Sequence, residues 1–316
     1  VLLAGFLQLL FQIAPLATIK KIPVPKIDFQ NPGVKKFFVL ILPAILAGGI
    51  AQINLLIDTI FASLLITGSP TWLYVSDRLI QFPMGIFAIA IGTVLLPSLS
   101  KAYSQKEVQA YTEQLEHAFK LVFFLAIPSL IGLALFASPL LSTIFQRGAF
   151  LWNDVQQASL SLIGFSFGLP FFMAMKVLVP AFFSRQNTKT PMLIAFLSLL
   201  INVFLNYLLA FYFGLGHLGL AIASSISAMV SVIILSLILK RDGLISFSGI
   251  LSTFSLNVLI ASIALISFLL IFNQYFNFEL LSQAQRFLHL VTALIGSLII
   301  YFGASFLLGV RPADFK

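Results

Sequence analysis

The stretch YVSDRLIQFPMGIFAIAIGTVLLPSLS, Tyr74–Ser100, decides what kind of chain this is. One aspartate and one arginine, Asp77 and Arg78, stand near its head, and no further charge follows before Lys101. Such a run meets the roughly 20 apolar residues that carry a helix across a bilayer. A membrane barrel would instead show alternating stretches of about ten residues. The stretch reads as a transmembrane helix over 72–99 with two charges near one interface.

The same reading extends in both directions. The 316-residue chain is 60% hydrophobic and 9% charged, with a mean hydropathy of +1.07; a soluble domain carries about 25% charge. The expected fold is an all-α polytopic membrane protein. Nine segments are apolar enough: 1–19, 37–66, 72–99, 118–137, 156–183, 191–213, 218–239, 250–272 and 286–309. Turn residues such as Thr67-Gly68-Ser69-Pro70 and Trp152-Asn153-Asp154 separate them, and Asp154 reads as a helix cap. The absence of cysteine excludes disulfides and thiolate metal sites. No Gly-x-x-x-x-Gly-Lys-Ser/Thr loop is present to cradle a nucleotide.

The net charge of +8 does not point to nucleic acid, because the cations fall in short clusters between apolar runs. Lys20, Lys21, Lys26, Lys35, Lys36, Lys101, Lys106, Lys120, Arg185, Lys189, Lys240, Arg241, Arg311 and Lys316 fall on one side if nine spans alternate. Arg147 and Arg286 fall on the other. That bias places the basic loops and the C-terminus in the cytoplasm. The chain starts at Val1 inside an apolar segment without a charged flank, so it reads as a piece of a longer protein whose earlier spans lie upstream. Prolines inside the spans (Pro43, Pro83, Pro97, Pro128, Pro170 and Pro180) fit a protein that moves or encloses a cavity, or a passive kinked bundle.

Ionisable residues inside a membrane usually face a cavity or a partner. Asp77 and Arg78 are about 100° apart on a helix, so they cannot share one face. They read either as an interfacial pair or as a cavity arginine, whose planar fork suits phosphate, beside its neighbour. Lys176 reads as a snorkelling cation or a cavity cation. Asp58, with Gln52 and Asn54 above it, is deeper. Asn202 and Asn206 share a face at i, i+4 spacing, and Ser224, Ser225 and Ser227 lie on a small-residue surface. These oxygens read either as ordinary interhelical hydrogen bonding or as a site for a hard monovalent cation. His117, His217 and His289 sit at segment edges and read as interfacial. Glu113 and Glu116 lie with Lys120 on an approach helix with a solvated face.

Two runs add a resemblance. QINLLIDTIFASLLITGSPTWLYVSDRLIQFPMGIFAIAIGTVLLPSLSKAYS (Gln52–Ser104) and KVLVPAFFSRQNTKTP (Lys176–Pro191) are similar to the signature regions of the MurJ/MviN family, bacterial flippases for lipid II, within the multidrug/oligosaccharidyl-lipid/polysaccharide exporter superfamily. The resemblance implies a transporter and not an enzyme. It sets 1–19 beside the last helix of an N-lobe whose first five helices are missing here, with 20–36 as a basic cytoplasmic linker. It sets 37–240 beside a six-helix C-lobe, and 250–316 beside two further helices that hold a lipid tail in a groove. Arg78 matches a cavity arginine associated with the lipid II diphosphate, Asp77 is its neighbour, and Lys176 joins them as a substrate-binding candidate. Asp58, Asn202, Asn206 and Ser224 match a sodium site, with Asn206 standing where some members carry Asp.

The function so implied is translocation of lipid II between leaflets of the bacterial cytoplasmic (inner) membrane by alternating access. Sodium would be the only bound ion. Membrane lipids, and the missing helices or a partner supplying them, would be the associates. Export of another polyprenyl-linked glycan, or an inactive remnant, are the alternatives. An enzyme acting on polyprenyl diphosphates would need paired carboxylates, or a histidine with a carboxylate, at one interface. Asp77 has neither beside it in sequence.

Overall fold

The computed structural model describes residues 2–18, 31–245 and 253–311, and the regular structure among them is helical. The basic linker expected over 20–36 lies largely outside the described residues, as do 250–252 and Lys316. The chain divides into two compact units, Val1–Ile41 and Leu42–Lys316. The first holds α1 (Leu2–Thr18), where the Thr18 hydroxyl donates to the Pro15 carbonyl at 2.6 Å, and the opening turns of α2 (Pro32–Ser63).

The second unit holds the rest of α2, then α3 (Ser69–Pro83), α4 (Ile89–Ser104), α5 (Val108–Leu135), α6 (Ala137–Phe145), α7 (Trp152–Ser184), α8 (Lys189–Asn206), α9 (Gly216–Arg241), α10 (Thr253–Tyr275) and α11 (Gln283–Leu307). With α3 and α4 counted as one crossing, eight helices among the described residues are long and apolar enough to span a membrane. Nine segments were expected from sequence. The difference is α1, apolar but only 17 residues long. The two longest helices, α2 and α7, run well past a hydrocarbon core of about 30 Å at a rise of about 1.5 Å per residue. The expected approach helix is the first part of α5, continuous with its span.

Three features lie beyond the reach of hydropathy. The short helix α6 follows a break at Phe136 (φ −109°, ψ 22°). Wide π turns occupy Met84–Ala88, directly after Pro83, and Tyr207–Tyr212, directly after Asn206. Proline removes one amide donor from the ladder, and the helix re-registers just beyond it. At the second turn, α9 presses its Gly219 onto the backbone. A Cβ there would lie 2.7 Å from the Leu209 carbonyl carbon and the Ala210 nitrogen.

The main core joins α3, α4, α5, α7 and α9 around Leu99, Leu115, Leu162, Leu169, Met173 and Phe182. Because α7 runs through its middle, it is apolar all round, as a helix buried in a bundle should be. A second core docks α10 and α11 on α5 and α6 through Phe124, Phe136, Val258, Leu265, Leu290 and Tyr301. Polar pins hold this pair: Tyr301 OH donates to Phe124 O (2.6 Å), Gln283 Nε2 to Thr143 O (2.6 Å), and Arg286 Nη1 to Gln146 Oε1 (2.6 Å). Arg286, placed by the sequence reading at the head of the last span, is therefore a buried clasp. The outward faces carry exposed Phe82, Val94, Phe204 and Ile299, which suits a lipid solvent.

Candidate functional site

Small residues set the geometry on which the site is built. Gly164 and Gly168 of α7 meet Ala221 and Ser225 of α9, both pairs at i, i+4 spacing. A Cβ on Gly168 would lie 2.5 Å from the Ser225 hydroxyl, which donates to Gly164 O at 2.8 Å. This is the small-residue packing that lets membrane helices approach closely. Ser225 is thereby committed to α7, while its neighbour Ser224 turns toward α8 and α2.

There Ser224 joins a polar cluster. Asn206 Nδ2 donates to Asp58 Oδ1 at 2.6 Å, and Asn54 Nδ2 donates to Asp58 Oδ2 at 3.2 Å. The Ser224 hydroxyl reaches Asp58 Oδ2 at 3.5 Å. Asn202 and Asn206 are buried, while Asp58 and Ser224 are partly buried. The cluster cannot satisfy itself. With Asn206 donating to Asp58, its own Oδ1 is buried without a partner. Asn202 is best placed with its nitrogen toward Asp58 Oδ1 and Asn54 Oδ1, both at 3.0 Å, and its oxygen accepting from Ser224. It then meets the Asn206 amide nitrogen to nitrogen at 3.0 Å. Turning Asn206 relieves that contact but sets its oxygen against the Asp58 carboxylate. A further group that donates to or coordinates these oxygens satisfies every atom, whether a water, a proton or a small cation. The set of a carboxylate, two amide oxygens and a hydroxyl suits a hard cation.

In front of the cluster lies a cavity of about 550 Å³ between α2, α3, α7 and α9, lined by Asp58, Ser224, Asp77, Gln81, Tyr74 and Lys176 among others. Gln81 Nε2 donates to Asp77 Oδ2 at 2.7 Å. Lys176 is held at this level by close packing, since a Cβ on Gly92 of α4 would lie 2.8 Å from the Lys176 carbonyl. The structure thus brings Asp58, Ser224, Asp77 and Lys176 to one cavity, with Asn202 and Asn206 behind its wall. Arg78 does not line it: the side chain lies outside the lining, with its guanidinium 4.7 Å over the Tyr74 ring. The 100° divergence of Asp77 and Arg78 holds. The aspartate is the member that faces this cavity.

A second buried network has no counterpart in the sequence reading, which put His217 at an interface. His217 is 5% exposed. Its Nδ1 lies 2.7 Å from the Ser161 hydroxyl and its Nε2 3.0 Å from Gln157 Oε1, with the Trp72 ring edge-on at 5.0 Å. Trp72 Nε1 donates to Asp154 Oδ1 at 2.9 Å, and Asp154 Oδ2 accepts from the Leu151 N–H at 2.8 Å. Asp154 thus lies inside the first turn of α7 and not ahead of the helix as expected; from there its carboxylate accepts from the N-cap N–H and ties α7 to α3.

This helical arrangement is that of a polytopic membrane protein. It superposes on an outward-facing multidrug-resistance transporter of the MATE family, in the MOP superfamily, with a TM-score of 0.57 at 16% identity, covering 76% of this chain and 55% of that one. Within that class the match narrows. A structure of a lipid II flippase MurJ in an inward closed conformation aligns with a TM-score of 0.66 at 26% identity, over 90% of this chain and 57% of that one. The family model described as "Lipid II flippase MurJ" matches residues 1–292, and the chain belongs to that family. A probable lipid II flippase MurJ of Haemophilus influenzae is 38% identical over 98% of this chain and 62% of its own length. One of Vibrio cholerae is 42% identical over 74% of this chain and 44% of its own. The chain thus aligns with about half of the length of these relatives.

Proposed function

We propose that this chain serves the movement of lipid II from the inner to the outer leaflet of a bacterial cytoplasmic membrane by alternating access, with its C-terminus in the cytoplasm. The observation that carries the reading is the charged cavity between α2, α3, α7 and α9 in a chain of this family. In this reading Lys176 offers a cation to the diphosphate of the headgroup, and Asp77, held by Gln81, orders the opposite wall. Arg78, poised over Tyr74, presents its fork to the same headgroup from the flank. The apolar faces of α10 and α11 accept the polyprenyl tail.

Asp58, Asn202, Asn206 and Ser224 would hold a sodium ion, and the buried unpartnered Asn206 Oδ1 supports the fit. A bound cation there supplies the positive charge that lets both amide oxygens converge on the carboxylate. Asp58 can equally take amide nitrogens, as it does from Asn206 and Asn54. The residues of α2, α8 and α9 thereby exchange one hydrogen-bond pattern for another, which is the kind of two-state element that alternating access requires.

The test is lipid II accessibility at the outer surface of cells depleted of their own flippase and expressing this protein joined to its native upstream sequence. Restored accessibility, lost in Lys176→Ala and Arg78→Ala at unchanged membrane levels, is the expected result. Normal accessibility in both variants would overturn the phosphate assignments. Failure of the unmodified protein, with export of a different polyprenyl-linked glycan, would overturn the substrate.

A further inference from the structure

A second cavity lies apart from the central one. A space of about 910 Å³ opens at the basic end of the bundle, where α4 ends, α5 begins and α7 ends. It shares no lining residue with the central cavity. The residues that line it from this helix, Phe183 and Ser184, with Arg185 and Gln186 just past its end, lie about two turns or more beyond Lys176, so the two cavities stand at different levels along α7.

Three observations give this space a chemical character. Arg185 lines it with a side chain only 12% exposed. One prong, Nη2, pairs with Asp242 at 2.7 Å, while Nη1 is buried with no acceptor. A guanidinium fork takes two oxygens, and this one has a second prong unmet. Asp242 is itself 37% exposed, so it is a partner that an incoming anion can share.

Lys106 also lines the space. With Gln186, another lining residue, it has a left-handed backbone (φ 60° and 58°), the two non-glycine residues among those described that do. Each turns the chain sharply at a helix end, with Glu107 N–H reaching back to Ala102 O and Asn187 N–H to Phe182 O, both at 3.0 Å. Such backbone outside glycine concentrates at ligand sites.

The surrounding charge agrees. Lys101, Lys189, Lys240 and Arg241 stand at the same ends of α4, α8 and α9. Glu107 is the acidic lining residue, and it is exposed at the rim. Basic pockets between membrane helices on this side are where anionic headgroups settle. We infer that the cavity between α4, α5 and α7 binds a phosphate-bearing group through Arg185 and Lys106, with the phosphodiester headgroup of an anionic phospholipid as the occupant. The site is separate from the transport cavity, and its test does not depend on what that cavity carries.

Purified protein in a non-ionic detergent would be titrated with dihexanoyl phosphatidylglycerol, dihexanoyl phosphatidylcholine and inorganic phosphate, following thermal unfolding and native mass spectra. Saturable binding of the anionic lipid, at least fivefold tighter than of the zwitterionic one, is expected. Lys106→Gln, which leaves the core untouched, and Arg185→Gln should each weaken it fivefold or more. Equal saturation by inorganic phosphate alone, sensitive to the same variants, would uphold the phosphate chemistry and overturn the lipid as its source. No saturable binding of either, or binding that both variants leave unchanged, would overturn the site.

Discussion

Two buried polar networks hang on α9 about two turns apart, and they differ in one respect. Around His217 each ring nitrogen has a partner. If Nε2 donates to Gln157, the Ser161 hydroxyl donates to Nδ1, and the Trp72–Asp154 bond closes the far side. Around Asp58 no orientation of the two asparagine amides leaves every atom partnered. A fully satisfied network rigidifies its surroundings, whereas a half-satisfied one is unstable until something joins it. The first network therefore fixes α3, α7 and α9 to one another. The second leaves α2, α8 and α9 with a choice. Stability and transport should separate along this line.

The largest effect should come from the closed network. Trp72→Ala removes a nearly buried ring and leaves Asp154 Oδ1 without its indole partner, so a loss of about 3–5 kcal/mol is expected. Denaturant unfolding in detergent would measure it. Transport per folded molecule should survive, because Trp72 touches neither the cavity nor the Asp58 cluster. Unchanged stability with transport lost would reverse the roles of the two networks.

The open network should respond to ions. If sodium binds at the Asp58 cluster, saturating it at a hundred times its Kd should stabilise the folded state by about 2.7 kcal/mol. The same titration on Asp58→Asn should give no shift, while Trp72→Ala should keep the full increment on its lower baseline. An equal response to choline chloride would remove the cation assignment. A response to pH in place of sodium would name the proton as the missing charge.

Both networks lean on the α7–α9 contact, and Gly168 is its tightest point. Gly168→Ala drives a methyl against the Ser225 hydroxyl and the Phe172 ring. Overpacking of this kind costs about 1–3 kcal/mol. It should also blunt the sodium response, since Ser224 is set by the same helix packing. Retention of the full sodium response in a destabilised variant would show that the Asp58 cluster tolerates movement of α9.

How far the sequence revealed these networks depends on spacing. Asn202 and Asn206 were legible because i, i+4 residues share a helix face whatever the tertiary fold. Ligand chemistry offered Asp58 as their companion in a cation site but favoured ordinary hydrogen bonding, and the family resemblance tipped the reading toward the site. The His217 network was not legible: its members come from α3, α7 and α9, and each reads singly as a turn or edge residue. Hydropathy likewise marks apolar length but not turn width, so the π turns after Pro83 and Asn206 escaped it. The angle between Asp77 and Arg78 was legible, but not which of them faces the cavity. That depends on how α3 is rotated against α7, a matter of packing around Trp72, Val75 and Ile80.

The smallest effect tests where the open network ends. Asn54 lies at the rim of the cluster, with one amide bond to Asp58 Oδ2 at 3.2 Å, and it lines the cavity. A single interhelical polar contact in a membrane averages about 0.6 kcal/mol, and Asn54 makes one such contact, to Asn202, beside its bond within α2, so Asn54→Ala should cost about 1 kcal/mol or less. The sodium titration gives the sharper reading. If Asn54 only shields the carboxylate from the cavity, its removal leaves the sodium increment intact. If its oxygen, which lies 3.0 Å from the Asn202 amide nitrogen, turns inward to the ion, the increment falls with it. The Asn202 geometry favours the first outcome, because the best-satisfied amide orientation there already engages Asn54 Oδ1 as an acceptor.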